Sequence, residues 1–332
     1  MPRRGRTSMA STIGRRSLGA LLLAPTAARA QTGTAWAPSR PIRLIIPYTP
    51  GGGTDIVGRL IARALGDTLG QPVAVENRPG ASEMVGTEVV ARAAPDGHTF
   101  GLVTTTITIN PALYPSVPYD NARDLRPLSS LCTVPFALVV HPSVPATDLR
   151  TLIALLKARP DAMSYASLGP GSVHGLAMEW FKNLSGTRAV AVPYRGVAPA
   201  MQASATGEVQ LGFVGLTAAV PQIQARRLRA LAVSPAEGVA AFPQWPPVAS
   251  EVPGFDMTTW YGLVVPAGTP DPIAARLGEE ILKALASEDL LSRFAALGVE
   301  PAPATPDAFA RRIAAETTMW ARVVAATGAK PE

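Results

Sequence analysis

The chain has 332 residues, of which 47% are apolar, and it carries six more basic than acidic side chains. Such an excess ordinarily suggests a nucleic acid or an anionic membrane as partner. Six arginines and no acidic residue fall within residues 1–30, however, and the rest of the chain has 24 basic and 24 acidic side chains. We therefore expect no nucleic-acid partner.

The first 30 residues predict an export signal. A basic start is followed by the pair Arg15-Arg16, a modest apolar core at 18–28 and the small-residue cleavage site Ala28-Arg29-Ala30. That core is shorter than the roughly 20 residues that cross a bilayer. We expect cleavage after Ala30 and a periplasmic protein. The arginine pair favours the twin-arginine route, the general secretory route remains open, and Met9 is an alternative start.

The remaining length of about 300 residues predicts two domains. Cys132 is the single cysteine, so an internal disulfide is excluded. It lies in an apolar run, which favours a core position over a nucleophile.

Apolar runs rich in β-formers then alternate with helical patterns. Strands are predicted at 42–46, 73–75, 99–104, 136–140, 163–166, 189–192, 209–214, 228–233 and 261–265, and helices at 55–69, 82–93, 148–159, 172–184, 197–205, 217–226, 272–286 and 308–325. This alternation predicts an α/β fold with mostly parallel sheet covered by helices. The last two helices have no predicted strand between them and are expected to form a closing cap.

The most informative turn is PYTPGGGTD at 47–55, between the first strand and the first helix. Free amides and the positive end of a helix at such a turn attract a carboxylate or phosphate. It lacks the lysine of a phosphate-binding P-loop and the spacing of a dinucleotide fingerprint. A turn that merely closes an α/β unit remains an alternative.

Three further segments are candidate ligand contacts. SLGPGSVHG at 167–175 offers Ser172 as a helix N-cap, with His174 beside it. The threonine run at 104–106 ends a predicted strand, and in the turn at 212–217 Thr217 is expected to cap the next helix. Pro170 stands where a nucleophile elbow requires glycine.

The chain has three histidines, and none of them pairs with another at metal-binding spacing. Two of them, His98 and His141, lie in a turn and at a strand end, where a structural or solvated role is expected. We therefore predict no metal and no cofactor.

The motifs RPIRLIIPYTPGGGTD, GQPVAVENRPGAS, VPYRGVAPA and YGLVVPAGTPDP occur in this order. With several others between 39 and 328, they resemble the extracytoplasmic solute receptors of tripartite tricarboxylate transporters, the Bug family. The resemblance implies a two-domain periplasmic-binding-protein fold of type II, whose cleft closes over a small organic acid. It also implies a binding site composed of Tyr48, Gly52, Gly53, Thr54, Asp55, Thr105, Thr106, Ser172, Val173, His174, Gly196 and Thr217.

The chain departs from this family's usual pattern at several positions. Residues 82–84 are Ser-Glu-Met where Gly-Gly-Asn is frequent, Pro170 replaces Asn, and Gly175 replaces His. Val214 and Gly215 replace Asp-Asn, which removes a carboxylate that could bind a ligand ammonium. We therefore predict a dicarboxylate or aromatic acid rather than an amino acid.

The domains are expected at 39–135 with 256–332, and at 136–255, with a hinge near 134–140 and 254–260. The leading hypothesis is a non-catalytic monomeric receptor that delivers its ligand to membrane transporter subunits. A sensing module for a membrane signalling partner such as a sensor kinase is an alternative. A less favoured alternative is an exported hydrolase that uses Ser172 and His174.

Overall fold

The computed structural model describes residues 36–169, 171–194 and 196–327. The predicted export signal and Pro170 lie outside these ranges. The strands are β1 (Ile42–Ile46), β2 (Val73–Asn77), β3 (Thr99–Thr104), β4 (Leu125–Val140), β5 (Ser164–Ser167), β6 (Val190–Pro193), β7 (Leu211–Gly215), β8 (Arg229–Val233), β9 (Thr258–Pro266) and β10 (Glu300–Pro301). The helices are α1 (Gly53–Leu69), α2 (Met84–Ala91), α3 (Thr106–Leu113), α4 (Leu149–Ala158), α5 (Val173–Ser185), α6 (Val197–Thr206), α7 (Leu216–Gln224), α8 (Asp271–Leu285), α9 (Glu288–Ala296) and α10 (Pro306–Thr327).

The 16-residue strand β4 organises the sheet. Its first part, 125–135, pairs antiparallel with β9 and β10, and its second part, 136–140, pairs antiparallel with β7 and β8. We call the part of the molecule built on β1, β2, β3, β9 and β10 lobe A, and the part built on β5, β6, β7 and β8 lobe B. The two lobes thus share one strand.

Parallel pairing within each lobe sets the positions of the loops. In lobe A, β1 lies between β2 and β3 and is parallel to both. In lobe B, β5 is parallel to β6 and β7. Because the strands of a parallel sheet end at the same edge, the loops after β1 and β3, and those after β5 and β6, meet at one edge of their lobe.

The apolar run of β1 follows from this position, since its isoleucines and leucine are buried between neighbouring strands and helices. In lobe B the core contains stacked Phe213 and Phe255, with ring centroids 5.1 Å apart. Helix α10 packs on both lobes, because its Phe309 contacts Trp260 of β9 while its Trp320 lies in the lobe B core. Cys132 is fully buried in the lobe A core, as expected.

The predicted boundaries of β1 and β3 are confirmed to the residue. The first part of β4 was not predicted, because Pro127 and the serines at 129–130 interrupt its apolar pattern. Neither was α3, because its sequence TITINPAL is rich in β-branched residues and contains a proline. The expectation of no strand between the last two predicted helices is wrong, since α9 and β10 both lie there.

Candidate functional site

A cavity of about 780 Å³ lies between the lobes. Its volume falls within the range of small-molecule sites, about 300–1,000 Å³. Lobe A contributes the loop after β1, the loop before α2 and the region around α3, and lobe B contributes the segments after β5 and β6. The lining residues are Pro47, Tyr48, Thr49, Pro79, Gly80, Ala81, Ser82, Glu83, Thr106, Tyr114, Leu168, Gly169, Ser172, Pro193, Tyr194 and Gly196.

The Gly-rich turn is shaped by Asp55, which lies in the first turn of α1 and is 4% exposed. The Asp55 carboxylate accepts hydrogen bonds from the Gly51 amide, Arg59 Nε and Asn77 Nδ2, each 2.9 Å long. Burial opposes ionisation of Asp55, but these hydrogen bonds and the Arg59 charge outweigh it and keep its pKa below the ordinary value. Asp55 therefore supports the turn, and it does not line the cavity.

Glycines allow lobe B to approach this turn closely. A Cβ on Gly53 would overlap Thr217 Oγ1 and lie 3.2 Å from Thr217 Cβ. Gly196, with φ +120°, would place a Cβ 2.7 Å from Thr49 Oγ1, and a Cβ on Gly52 would lie 3.2 Å from Val197 Cβ. Gly52, Gly53 and Thr217 thus form a contact between the lobes beside the cavity. Thr217 does not cap α7 as predicted, because the N-cap position is taken by Gly215.

The predicted threonine cluster divides into three roles. Thr106 lines the cavity. The Thr105 hydroxyl accepts a hydrogen bond of 3.1 Å from the Trp260 amide, which attaches the start of α3 to β9. Thr104 donates its hydroxyl hydrogen to Glu83 Oε1. A fourth threonine, Thr54, is buried and donates to the Tyr261 hydroxyl at 3.3 Å, away from the cavity.

Glu83 is a lining residue that our sequence reasoning did not select. It is 1% exposed, and its carboxylate accepts hydrogen bonds from the Tyr48 hydroxyl, the Thr104 hydroxyl and the Thr104 amide. Burial raises the pKa of Glu83 to about 7, although these hydrogen bonds partly offset the effect. Burial and the neighbouring Glu83 also raise the pKa of Tyr48 well above its usual range. The departure at 82–84 from the family's pattern was the available signal.

The loop before α2 has an uncommon backbone. Ala81, Ser82 and Glu83 have φ values of 45°, 48° and 72°, in the left-handed region that non-glycine residues avoid. The loop is fixed by side chains, because Ser82 Oγ lies 2.8 Å from the Tyr114 hydroxyl and Asn110 Nδ2 donates to Ser82 O at 2.7 Å. This strained loop therefore forms part of the wall of the cavity.

On the lobe B wall, Ser172 is the N-cap of α5, as expected. Its hydroxyl accepts from the Gly175 amide at 3.0 Å and donates to Gly169 O at 2.7 Å. Since both interactions occupy the hydroxyl, Ser172 contributes a fixed surface rather than a free nucleophile. Val173 is buried in the lobe B core.

His174 lines a separate cavity of about 20 Å³, next to Val214. Its ring meets Phe136 edge-on, with centroids 5.0 Å apart. Burial lowers the pKa of His174 to about 4, so the imidazole is neutral at pH 7. Its neighbours around this cavity are mainly apolar, and it packs rather than pairs with Ser172.

Of the predicted site residues, Tyr48, Thr106, Ser172 and Gly196 thus line the interlobe cavity together. Besides Glu83, sequence reasoning did not select Thr49, Ser82, Tyr114 or Tyr194. Within residues 36–327, apart from 170 and 195, no cluster of His, Cys, Asp and Glu has the arrangement of a metal site. In the same part of the chain no helix is both long and apolar enough to span a membrane.

Comparison with known proteins places these features in one family. The family described as "Tripartite tricarboxylate transporter family receptor" matches residues 57–329. "Protein BugT" of Bordetella pertussis is 38% identical over 296 residues, which cover 88% of this chain and 91% of BugT.

Two solved structures share the fold of this chain over nearly their whole length. "R. palustris Rpa4515 with adipate" has a TM-score of 0.86 at 33% identity and covers 89% of this chain and 99% of its own. "MatC (Rpa3494) from Rhodopseudomonas palustris with bound malate" has a TM-score of 0.80 at 31% identity and covers 86% and 99%. The matched family consists of receptors that bind a solute without catalysis. The chain belongs to the TctC, or Bug, family of periplasmic solute receptors.

Proposed function

We propose that this protein binds a small organic carboxylate in the interlobe cavity and delivers it to a tripartite tricarboxylate-type membrane transporter. The observation that carries the proposal is the cavity itself, whose walls combine Tyr48 and Thr49 after β1 with Thr106, Ser172 and Gly196 at the starts of α3, α5 and α6. Amides, hydroxyls and a positive helix end are suited to reversible binding of an anion. The adipate and malate bound to two related proteins are consistent with this ligand class.

The ligand that we propose is a dicarboxylate or an aromatic acid without an ammonium group. Val214 replaces an acidic residue that is frequent in the family, and its side chain lies at the small cavity beside His174 rather than at the interlobe cavity. Lobe B therefore offers no carboxylate at this position to bind an ammonium group.

We also propose that the lobes open and close as domains comprising 39–135 with 256–332, and 136–255. Strand β4 pairs with β9 up to residue 135 and with β7 from residue 136, which supports this boundary. Tyr48, Gly52, Gly53, Thr54, Asp55, Thr105, Thr106, Ser172, Val173, His174, Gly196 and Thr217 remain our proposed binding-site residues, with a direct contact expected for those that line the cavity.

Native mass spectrometry of the freshly purified protein tests the ligand class, since it can detect a carboxylate retained in the cavity. Isothermal titration calorimetry with adipate, malate, benzoate and aspartate then ranks the affinities. We expect a dicarboxylate or benzoate to bind more tightly than aspartate, and a preference for aspartate would contradict the proposal. Small-angle scattering with the tightest ligand should show compaction.

Export and partner are tested separately. For a twin-arginine signal, replacing Arg15-Arg16 with Lys-Lys should retain the precursor in the cytoplasm, whereas a general secretory signal should tolerate the change. Copurification with transporter subunits would support uptake, and copurification with a sensor kinase would support the sensing alternative. Size-exclusion chromatography with light scattering tests the expected monomer.

A further inference from the structure

Glu83 places a second carboxyl group in the wall of a cavity that we propose for a carboxylate ligand. The Glu83 side chain is almost fully buried, and Glu83 is the N-cap residue of α2, with a left-handed backbone conformation. Its hydrogen-bond donors are two hydroxyls and one amide, from Tyr48 and Thr104. Thr106 Oγ1 lies 3.3 Å from the Tyr48 hydroxyl and extends this polar cluster to the cavity surface.

The described residues around Glu83 do not compensate a negative charge. In the described part of the chain, no arginine, lysine or histidine contacts its carboxylate. Among the described residues, the titratable groups on which the Glu83 charge acts are Tyr48 after β1, Tyr119 after α3 and Tyr261 of β9. Burial raises the pKa of all three tyrosines, that of Tyr119 to about 12, so they are neutral at pH 7, and a phenol has no positively charged form at these pH values.

A ligand carboxylate beside Tyr48 would add a second negative charge to this buried cluster. Two carboxylates in a poorly solvated site do not both remain ionised, because like charges favour protonation of one of them. We propose that Glu83 accepts a proton from solvent when the receptor binds a carboxylate, and that it serves the bound state as a neutral acid. This inference rests on the proposed function, and it means that ligand binding is coupled to the uptake of one proton.

The competing interpretation is that ionised Glu83 pairs with an ammonium group of the ligand. The geometry favours the neutral acid, because a hydroxyl donor from Tyr48 and another from Thr104 already occupy Oε1 and leave little exposed carboxylate for an ammonium ion. Either hydroxyl can rotate and accept the single carboxyl hydrogen once Glu83 is protonated, while the other continues to donate. The two interpretations predict opposite pH dependences.

Calorimetry between pH 6.5 and 8.5 with adipate, malate and benzoate, each in phosphate and in Tris buffer, tests the inference. The pKa of Glu83 in the free protein is about 7, so above pH 7 the free protein must take up a proton to bind the ligand. The affinity should therefore fall by as much as about tenfold per pH unit above pH 7. The difference between the buffers should reveal uptake of about one proton at pH 8 and less at pH 6.5. Glu83→Gln, a neutral isostere, should bind without this pH dependence. Glu88→Gln on the next turn of α2 is the matched control and should behave as wild type.

Carbon-13 NMR titration measures the pKa of Glu83 in the wild-type protein and does not depend on the folding of Glu83→Gln. The Glu83 carboxyl signal is assigned by sequential assignment or, where the variant folds, from its spectrum. A Glu83 pKa below 5 in the free receptor would overturn the inference. Two other results would also overturn it: the same dependence of affinity on pH in wild type and Glu83→Gln, or an affinity for aspartate that increases as pH rises. In either case, observed binding of a carboxylate would leave the proposed function intact. If no carboxylate binds at pH 6.5, the proposed function fails and the coupling fails with it.

Discussion

Gly53→Ala is the sharpest test of contact between the lobes. The new methyl group would overlap Thr217 Oγ1 and lie 3.2 Å from Thr217 Cβ, and Thr217 is fully buried. Overpacking of this kind costs about 1–3 kcal/mol. If the contact belongs to the ligand-bound state, that cost corresponds to a roughly 5- to 150-fold loss of affinity. The free protein can open, and alanine is favoured over glycine in a helix by up to about 1 kcal/mol, so its unfolding free energy should not decrease.

The assay combines calorimetry with the tightest carboxylate and small-angle scattering with and without it. Gly278→Ala in α8 is the control, because a Cβ at that position meets no atom within 4 Å and should leave affinity unchanged. Adding Thr217→Gly to Gly53→Ala removes the opposing Cβ and hydroxyl and should restore affinity. If Gly53→Ala alone binds as wild type and compacts to the same radius of gyration, the reasoning is refuted.

Three further predictions concern stability. Asp55→Asn should lower the unfolding free energy by about 1–2 kcal/mol at pH 7. Because the folded-state pKa of Asp55 lies below its unfolded value of about 3.9, the stabilisation is present above that value and lost as pH falls through the folded pKa. Urea denaturation at pH 7 and pH 3 should therefore show a difference that shrinks in acid. The pKa of His174 is about 6.5 in the unfolded chain and about 4 in the folded protein, so between these values only the unfolded chain binds a proton at this residue. Wild-type stability should thus decline between pH 6.5 and 5, and His174→Leu should flatten that slope in the same assay; equal slopes would contradict it. Ala81→Gly should raise the melting temperature because φ is 45° there, whereas Ala275→Gly in α8 should lower it. A decrease in both variants would argue against strain at Ala81.

The first strand, turn and helix could be predicted because their signals are local. The apolar run of β1, the glycines at 51–53 and the amphipathic pattern of α1 each act within a few residues. Helix α3 could not, because its local propensity is poor and its stability derives from packing against α10 and β9. Tertiary contacts override propensity at this position.

The candidate site was predictable only in part for the same reason. Tyr48 and Ser172 lie next to recognisable turns, so sequence reasoning selected them. Glu83 becomes a site residue through Tyr48 and Thr104, which are 35 and 21 residues away in sequence. The parallel pairing of β3 with β1 brings these groups to one edge of the sheet. A local sequence pattern does not predict such a long-range contact.

The loop at 80–83 has two energetic costs. Left-handed backbone at three consecutive non-glycine residues costs of order 1–3 kcal/mol each, and burial of a carboxylate that no cation contacts among the described residues costs more. Glycine at positions 82 and 83 would remove the carboxylate and the left-handed cost at two of these three residues, and the cost at Ala81 would remain. Such costs persist where the surrounding structure enforces them for function. The lobe A wall built from Ser82, Glu83 and Tyr48 is therefore where we expect the ligand preference of this receptor to be set, more than at the Ser172 turn, whose hydroxyl is already satisfied within its own loop.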